Sequence, residues 1–223
     1  MSMSQSEEDM TTYKIILIGD SSVGKTCVFK KLTLGTYSDK NISTIGVDRK
    51  TFIIKLKINK DGEEIEKSFR IQLWDTAGQE RYRSITKGYY KDSQALLLMY
   101  DITNKSTFES LDKWIMGVRD SLGGEDDNDK ENSNYITILL GNKLDLDEAG
   151  LRKINKEDAE EICKKYDIIW GGEISAKDIT SEELMKKFEA YTLEIFNKIG
   201  YISARTSTIL KGGQNDKKKK KCC

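Results

Sequence analysis

Proline is absent from this 223-residue chain, and long apolar segments and a disulfide framework are absent too. Average usage of about 5% would give roughly 11 prolines, so proline-rich linkers and cis-proline turns are excluded. The longest apolar runs, Ala95–Tyr100 and Tyr135–Leu140, are far shorter than the ~18 residues that a membrane helix needs. Four cysteines, two of them at the last two positions, indicate a reducing cytosol. The polar, acidic segment Met1–Met10 does not resemble a signal peptide, which argues against secretion.

The net charge of zero combines an acidic body with a basic end. Lys217–Lys221 is a run of five lysines, and all 37 acidic residues precede it. Residues 1–216 therefore carry 32 of the 37 basic side chains against 37 acidic ones, a net charge of −5. A mildly acidic body argues against nucleic acid as a partner, because nucleic-acid binding requires a basic face.

Apolar patterns predict strands that alternate with helices. Short apolar runs such as Tyr13–Ile18 are typical of strands buried on both faces of a sheet. Alternating residues over Lys50–Asn59 and Ile65–Trp74, separated by the turn sequence Lys60–Gly62, predict a β-hairpin. The strand–helix alternation with one hairpin predicts an α/β fold with a mostly parallel sheet and helices on both faces.

Helices are expected at Lys25–Leu34 and, from apolar residues at helical spacing, around Ala159–Tyr166 and Leu184–Ile199. A Thr180–Glu183 capping-box pattern opens the last of these. We expect one domain over residues 12–200, after a disordered N-terminal extension at 1–11 and before a flexible tail at 201–223.

Gly19–Thr26 matches the phosphate-loop pattern G-x-x-x-x-G-K-[ST] in full, between a predicted strand and a predicted helix. Its glycines let backbone N–H groups curl around phosphate oxygens, and the helix N-terminus adds the positive end of its dipole. We expect Lys25 to reach the β- and γ-phosphates and the Thr26 hydroxyl to ligate Mg²⁺. The alternative is a glycine-containing turn with an incidental lysine.

Asp75–Glu80 follows the second strand of the predicted hairpin. A carboxylate at the end of a strand can hold Mg²⁺ through water, which makes Asp75 the candidate Walker-B acid. Gly78 has no side chain to keep its N–H from a terminal phosphate, and the Gln79 amide could orient an attacking water. By itself this segment is equally compatible with a polar turn; the phosphate loop upstream favours the catalytic interpretation.

Asn142–Asp145 follows an apolar run, at the edge where open α/β sheets bind their ligands. The Asp145 carboxylate can accept hydrogen bonds from guanine N1–H and from its exocyclic amine, whereas adenine presents no such donor pair. Sites built in this way discriminate by about 10⁴-fold or more. Ser175–Lys177 is expected to supply a backbone N–H to the guanine carbonyl and a lysine stem that packs on the ring.

In their order and spacing these four motifs resemble those of the Ras-superfamily small GTPases, and within them the Rab family, over roughly Tyr13–Ile199. The resemblance implies a small G-domain of the P-loop NTPase fold, with a six-stranded sheet that contains one antiparallel hairpin strand. It also implies a GTPase that cycles between GTP-bound and GDP-bound states, uses Mg²⁺ and regulates vesicle trafficking. The Rab-like stretches are Ile45–Asp48, Trp74–Thr86, Tyr89-Tyr90, Tyr100–Thr103 and the terminal Cys222-Cys223.

The resemblance implies roles for individual residues as well. Gln79 would be catalytic, Thr44 would sense the γ-phosphate through Mg²⁺, and Tyr37 would pack edge-on against the guanine. The implied Mg²⁺ ligands are Thr26, Thr44 and Asp75. The implied nucleotide contacts are Ser21, Ser22, Val23, Gly24, Lys25, Thr26, Cys27, Tyr37, Thr44, Gly78, Asn142, Lys143, Asp145, Ser175, Ala176 and Lys177.

Lys217–Lys221 and Cys222-Cys223 together resemble a doubly geranylgeranylated terminus, and the chain does not end in a C-a-a-X box. Taken singly, the lysines are equally compatible with a solvated tail and the cysteines with inert thiols. The resemblance implies a lipid-anchored protein on the cytosolic face of an internal or vesicle membrane, with a soluble cytosolic pool. Its implied partners are exchange factors, activating proteins, a GDP-dissociation inhibitor and effectors.

Some positions depart from the Rab pattern, and rival functions remain open. Arg49 stands where a phenylalanine is usual, and Gly171-Gly172 where an apolar strand end is common. One rival is a module that holds nucleotide without turnover, against which Gln79 and Thr44 argue. Another is a P-loop ATPase or kinase, against which Asn142–Asp145 argues. A Ras-like signalling GTPase outside trafficking is a third alternative.

Overall fold

The computed structural model describes residues 10–37, 46–60, 62–76, 88–122 and 134–212. Within these ranges six strands form one sheet in the order β2-β3-β1-β4-β5-β6. The hairpin strands β2 and β3 are antiparallel, and every other neighbouring pair is parallel, which confirms the predicted fold class. The strands are β1 (Thr11–Gly19), β2 (Val47–Lys60), β3 (Glu63–Thr76), β4 (Ala95–Asp101), β5 (Ile136–Asn142) and β6 (Ile169–Ile174).

All but the last helix of the described residues connect these strands, and the last one follows β6. None of these helices is long and apolar enough to cross a membrane. The first helix has the bounds that the sequence predicts, because Gly35 ends it in the left-handed conformation at φ 69°. The last helix continues to Gly212, past position 201 where the predicted tail begins. The helices are α1 (Lys25–Leu34), α2 (Lys105–Glu109), α3 (Leu111–Leu122), α4 (Lys156–Tyr166) and α5 (Ser181–Gly212).

Two apolar layers lie on opposite faces of the sheet. On one face the fully buried Phe188 of α5 packs with Phe69 of β3 and with the residues of α1. On the other face Trp114 of α3 packs with Tyr100 of β4 and with the residues of α4. All seven residues of β4 are buried, as expected of a central strand covered on both sides.

The hairpin strands run further than their alternating pattern predicts, and pair from Val47 with Thr76 to Lys60 with Glu63. The predicted strands, which begin at Lys50 and end at Trp74, are therefore too short. The alternation stops after Trp74 because Asp75 and Thr76 are both buried at 1% exposure. The Thr76 hydroxyl donates to the Leu17 carbonyl at 2.7 Å, which fixes the end of β3 against β1.

The unusual Gly171-Gly172 pair creates an irregularity in the edge strand β6. The pairing with β5 shifts register between Leu139 and Gly141, and Gly172 has φ +86°. A Cβ at Gly171 would lie 2.8 Å from Ile138 Cγ2, and the Gly171 carbonyl accepts the Tyr191 hydroxyl at 2.8 Å. Glycine is therefore required here by close packing, immediately before the strand reaches its functional end.

Candidate active site

The predicted motifs meet at one edge of the sheet. The phosphate loop follows β1, Asp75 and Thr76 end β3, Asn142–Asp145 follows β5, and Ser175–Lys177 follows β6. Because these strands are mutually parallel, their carboxyl ends lie on the same side, where open α/β sheets bind ligands.

Main-chain geometry fixes the phosphate loop. Gly19 has φ +135°, and a Cβ there would collide with the Met99 carbonyl of β4. Gly24 has φ +101°, and a Cβ there would collide with the side-chain amide of Asn142. Both positions therefore require glycine. The Gly24 carbonyl then accepts the Val28 N–H at 3.0 Å, which starts α1 directly at the loop.

Lys25 lies inside this loop at 5% exposure. Its ammonium group donates to the carbonyls of Gly19 at 2.9 Å and Asp20 at 2.7 Å. Burial lowers the pKa of Lys25 to about 8, although the nearby carboxylates of Asp75 and Asp20 oppose this effect. A buried cation among backbone donors at a helix N-terminus is suited to bind phosphate.

Thr26 and Asp75 form a second polar group beside the loop. The Thr26 hydroxyl donates to Asp75 Oδ2 at 2.6 Å. Asp75 Oδ1 is buried and has no hydrogen-bond partner among the described residues. Burial raises the pKa of Asp75, while the bond from Thr26 and the charge of Lys25 lower it. A hydroxyl and a carboxylate with an unused oxygen are the oxygen ligands that Mg²⁺ prefers, so these residues fit that ion.

Asn142 connects the phosphate loop to the second half of the site. Its side chain is buried, and its Nδ2 donates to the Val23 carbonyl at 2.7 Å. Its Oδ1 accepts the Ala176 N–H at 3.0 Å. A single amide thus uses its donor side and its acceptor side to hold two loops that are far apart in sequence.

The base-contacting candidates lie beyond Asn142. Ser175 Oγ donates to Asp145 Oδ1 at 2.8 Å, so the carboxylate is held from the neighbouring loop. Lys143 has φ 72° and its ammonium lies 2.6 Å from Asp101 Oδ2 at the end of β4. Lys177 is exposed, and its carbonyl accepts the Lys31 ammonium at 3.2 Å.

The remaining predicted contacts have mixed exposure. Ser21 and Ser22 are exposed on the loop, and Val23 is buried. Cys27 in α1 and Tyr37 are half-buried. Five of the predicted site residues lie outside the described part of the chain: Thr44, Gly78, Gln79, Cys222 and Cys223.

Asp20 has a structural role that the motif alone does not indicate. Its Oδ2 accepts the Ser110 hydroxyl at 2.6 Å and its Oδ1 accepts Trp114 Nε1 at 2.8 Å. A carboxylate in a phosphate loop would repel the ligand unless other groups held it, and that conflict is the sequence signal for such partners. Asp20 thereby ties the loop to α3.

The fold and this site define the class of a P-loop NTPase with a small G-domain. The Ras family model matches residues 14–197. The human Ras-related protein Rab-19 is 41% identical over 166 residues, 74% of this chain and 68% of that protein. Human Rab-37 is 35% identical over 95% of this chain and 86% of its own length. The chain belongs to the Ras family and, within it, to the Rab small GTPases, which hydrolyse GTP.

Proposed function

We propose that this protein binds GTP and GDP with Mg²⁺, hydrolyses GTP slowly and regulates vesicle trafficking by switching between two conformations. The observation that carries the proposal is the double hydrogen bond of Asn142. It joins the phosphate loop to the Ser175–Lys177 loop, and the bond from Ser175 to Asp145 adds the third segment. These contacts support a single site with a phosphate end and a base end. The Rab relatives support the trafficking role.

At the phosphate end, Lys25 and the backbone donors of the loop would bind the β- and γ-phosphates. Thr26 and Asp75, already 2.6 Å apart, would hold Mg²⁺ together with Thr44. The ion would neutralise charge on the phosphate oxygens as it develops during phosphoryl transfer. Binding of phosphate beside Lys25 would also stabilise its charged form, which burial alone disfavours.

At the base end, the Asp145 carboxylate would accept the two guanine donors while Ser175 holds its other lone pairs in place. The Ala176 N–H donates to Asn142 Oδ1, so a guanine carbonyl would share this donor or take another N–H of the same loop, and Lys177 is exposed beside it. An adenine base would leave the Asp145 carboxylate without donors, at the cost of an unpaired charge.

The hydrolytic step is assigned to Gln79, whose amide would orient a water for attack on the γ-phosphorus, giving GDP and phosphate. Thr44 and the Gly78 N–H would contact the γ-phosphate side in the GTP form. GTP would thus hold residues 38–50 and 76–92 in one arrangement, and loss of the γ-phosphate would release it.

The nucleotide and its turnover can be measured on the full chain. We expect guanine nucleotide to copurify with the protein, because Asp145 selects its base. Single-turnover phosphate release should be slow in the wild type and slower in Gln79→Leu, which binds GTP but lacks the amide. Copurified adenine nucleotide would favour the ATPase alternative, and an absence of turnover in both proteins would favour the nucleotide-holding module.

We also propose that geranylgeranyl groups on Cys222 and Cys223 anchor the protein to a membrane, assisted by Lys217–Lys221. Lysines near an anionic leaflet contribute about 1 kcal/mol each and are screened by salt, whereas two lipid chains hold stably. Cell-expressed protein should therefore cosediment with membranes across a salt series. Changing one cysteine to serine should leave weak, salt-sensitive binding, and changing both should release the protein. A double-serine variant that still pellets like wild type would contradict the lipid anchor.

A further inference from the structure

Arg152 starts a stretch of backbone that is fixed to the end of β4. The N–H groups of Lys153 and Ile154 both donate to the Ile102 carbonyl, at 2.9 Å and 3.2 Å. Arg152 Nη1 also donates to the Ile154 carbonyl at 3.0 Å. The backbone around Arg152 is therefore fixed independently of the contacts that its guanidinium group makes with other segments.

The guanidinium group joins two carboxylates that come from different segments. Nη1 and Nη2 donate to the two carboxylate oxygens of Glu173, each at 2.8 Å, and Nε lies 2.9 Å from Asp147 Oδ1. The side chains of Arg152 and Glu173 are only 20% and 10% exposed. These hydrogen bonds, chiefly those that Arg152 donates to Glu173 and then the one to Asp147, raise the pKa of Arg152 above its usual value. Because the guanidinium group is planar and donates several hydrogen bonds, it fixes both the distance and the angle between the two carboxylates that it joins.

Asp147, one of the two carboxylates, belongs to the segment that carries Asp145. Asp147 follows the short 3₁₀ turn Leu144–Leu146, and its N–H donates to the Leu144 carbonyl at 3.0 Å. Asp145 lies within that turn. A bond to Asp147 therefore restrains the backbone on which the base-contacting carboxylate stands.

Glu173, the second carboxylate, belongs to the strand that immediately precedes Ser175. Glu173 lies in β6 two residues before Ser175 and pairs with Gly141, the residue before Asn142. The space around it is tight, since a Cβ at Gly141 would lie 3.0 Å from both Glu173 Cγ and the Tyr100 hydroxyl. Glu173 is thus a fixed point from which Arg152 can hold the Asp145 segment.

We propose that Arg152 is a positioning residue of the base pocket, and that it determines how long guanine nucleotide stays bound and how strongly guanine is preferred. It acts by fixing the distance between the turn that contains Asp145 and the strand that precedes Ser175. The bond between Ser175 and Asp145 then keeps the carboxylate directed at the base. This inference rests on the proposed function of the site as a guanine-nucleotide site.

The test is to measure the dissociation of fluorescently labelled GDP and IDP from Arg152→Ala, Arg152→Lys and Glu173→Gln. Arg152→Ala should release GDP about tenfold faster, the order expected for lost hydrogen bonds between charged groups. IDP should be affected less, because inosine lacks the exocyclic amine that Asp145 would bind. The ratio of IDP to GDP dissociation rates should therefore fall. Arg152→Lys should have a ratio between those of Arg152→Ala and the wild type. Glu173→Gln should also lower the ratio.

Arg119→Ala is the matched control, because Arg119 donates to the Tyr166 carbonyl at 2.6 Å and so joins α3 to α4. Its guanidinium group also lies over the Tyr166 ring, and Tyr166 belongs to neither base-contacting segment. It should leave the ratio unchanged. An unchanged ratio in Arg152→Ala, whether GDP and IDP dissociate equally faster or no faster, would overturn the inference and assign Arg152 a purely structural role. Should Arg152→Ala not fold, the lysine and glutamine variants carry the same comparison. Failure of the wild type to bind GDP at all would instead contradict the proposed function.

Discussion

The two halves of the nucleotide site are built in different ways. The phosphate half is built around one continuous loop whose shape follows from the main chain, with Gly19 and Gly24 at positive φ and the Lys25 ammonium bound to loop carbonyls. The base half is assembled from separate segments by side-chain bonds, such as that between Ser175 and Asp145. A continuous loop can be recognised from its sequence alone, whereas a site made of several segments depends on residues that no short motif contains.

The halves also differ in electrostatic character. The phosphate half places a cation at 5% exposure, where burial penalises its charge until an anion arrives. The base half places the Asp145 carboxylate in a half-buried position with a hydroxyl donor already bound to it. We therefore expect the phosphate half to contribute most of the affinity and the base half most of the selectivity.

The largest expected effect comes from removing the cation of the phosphate half. Lys25→Ala should weaken the binding of both GTP and GDP by about 30-fold or more, since losing one member of a buried charge pair costs about 2–5 kcal/mol. The loss should be similar for guanine and inosine nucleotides, because the base half is untouched. Titration of labelled nucleotide into the variant measures this.

Lys186→Ala is the control for Lys25→Ala, because Lys186 is exposed on α5 and pairs only along its own helix, with Glu182 at 2.9 Å among the described residues. It should bind nucleotide like the wild type. A loss in Lys25→Ala that depended on the base would show that the two halves are not separable.

A smaller effect is expected from Gly171, whose missing side chain allows close packing in the strand of the base half. Gly171→Ala should lower the free energy of unfolding by about 1–3 kcal/mol, because the new Cβ overpacks the core. Its contact with Ile138 Cγ2 would be 2.8 Å. Urea denaturation of the GDP-bound protein gives the value.

A glycine-to-alanine substitution in α3 is expected to have the opposite effect on stability. Gly117 has nothing within 4 Å of an added Cβ, so Gly117→Ala should stabilise the helix by about 0.5–1 kcal/mol. Equal and small effects of the two alanines would contradict the packing account of Gly171-Gly172.

The smallest effect is a pH dependence confined to the phosphate half. Lys25 has its pKa lowered from 10.5 to about 8, so the nucleotide-free protein loses this proton above about pH 8 and must regain it to bind phosphate. GDP affinity should fall by up to about tenfold per pH unit from there, and Lys25→Ala should lack this dependence. Measurements between pH 7 and about 9 are sufficient.

Stability should respond in the opposite direction. Between about pH 8 and 10.5 the unfolded chain holds the Lys25 proton and the folded nucleotide-free protein does not. The free energy of unfolding therefore rises with pH across that window. A GDP affinity that rises with pH, or that falls equally in Lys25→Ala, would contradict the assignment of this pKa.

The sequence predicts the fold well, and it identifies the phosphate loop as a candidate, because both depend on local patterns. Period-two alternation, short apolar runs and the G-x-x-x-x-G-K-[ST] motif are contained in single segments, and α1 has the predicted bounds. The pattern misses the Thr76 end because the consecutive residues Asp75 and Thr76 are both buried, which interrupts alternation. It misses the Val47 end because residues 48–50 are all exposed. The burial at the Thr76 end is what the alternation cannot show. Such burial is set by β1, which lies far away in the sequence.

The supporting residues of the site were not predictable in the same way. Asp20 is bonded to Ser110 and Trp114, about 90 residues away, and Arg152 to Glu173. Each bond joins segments whose proximity exists only after the sheet has formed. Thr44, Gly78 and Gln79 lie outside the described residues, so their roles remain predictions.

The central claim, that one site combines a phosphate half with a guanine-selective base half, is tested most directly by titrating GTP and xanthosine triphosphate into Asp145→Asn. Xanthine carries a carbonyl where guanine has its exocyclic amine, and the asparagine amide can donate to it. The variant should lose most of its affinity for GTP and bind xanthosine triphosphate better than the wild type does, with Lys25 still holding the phosphates. Unchanged GTP binding, or equal loss of both nucleotides, would contradict the claim.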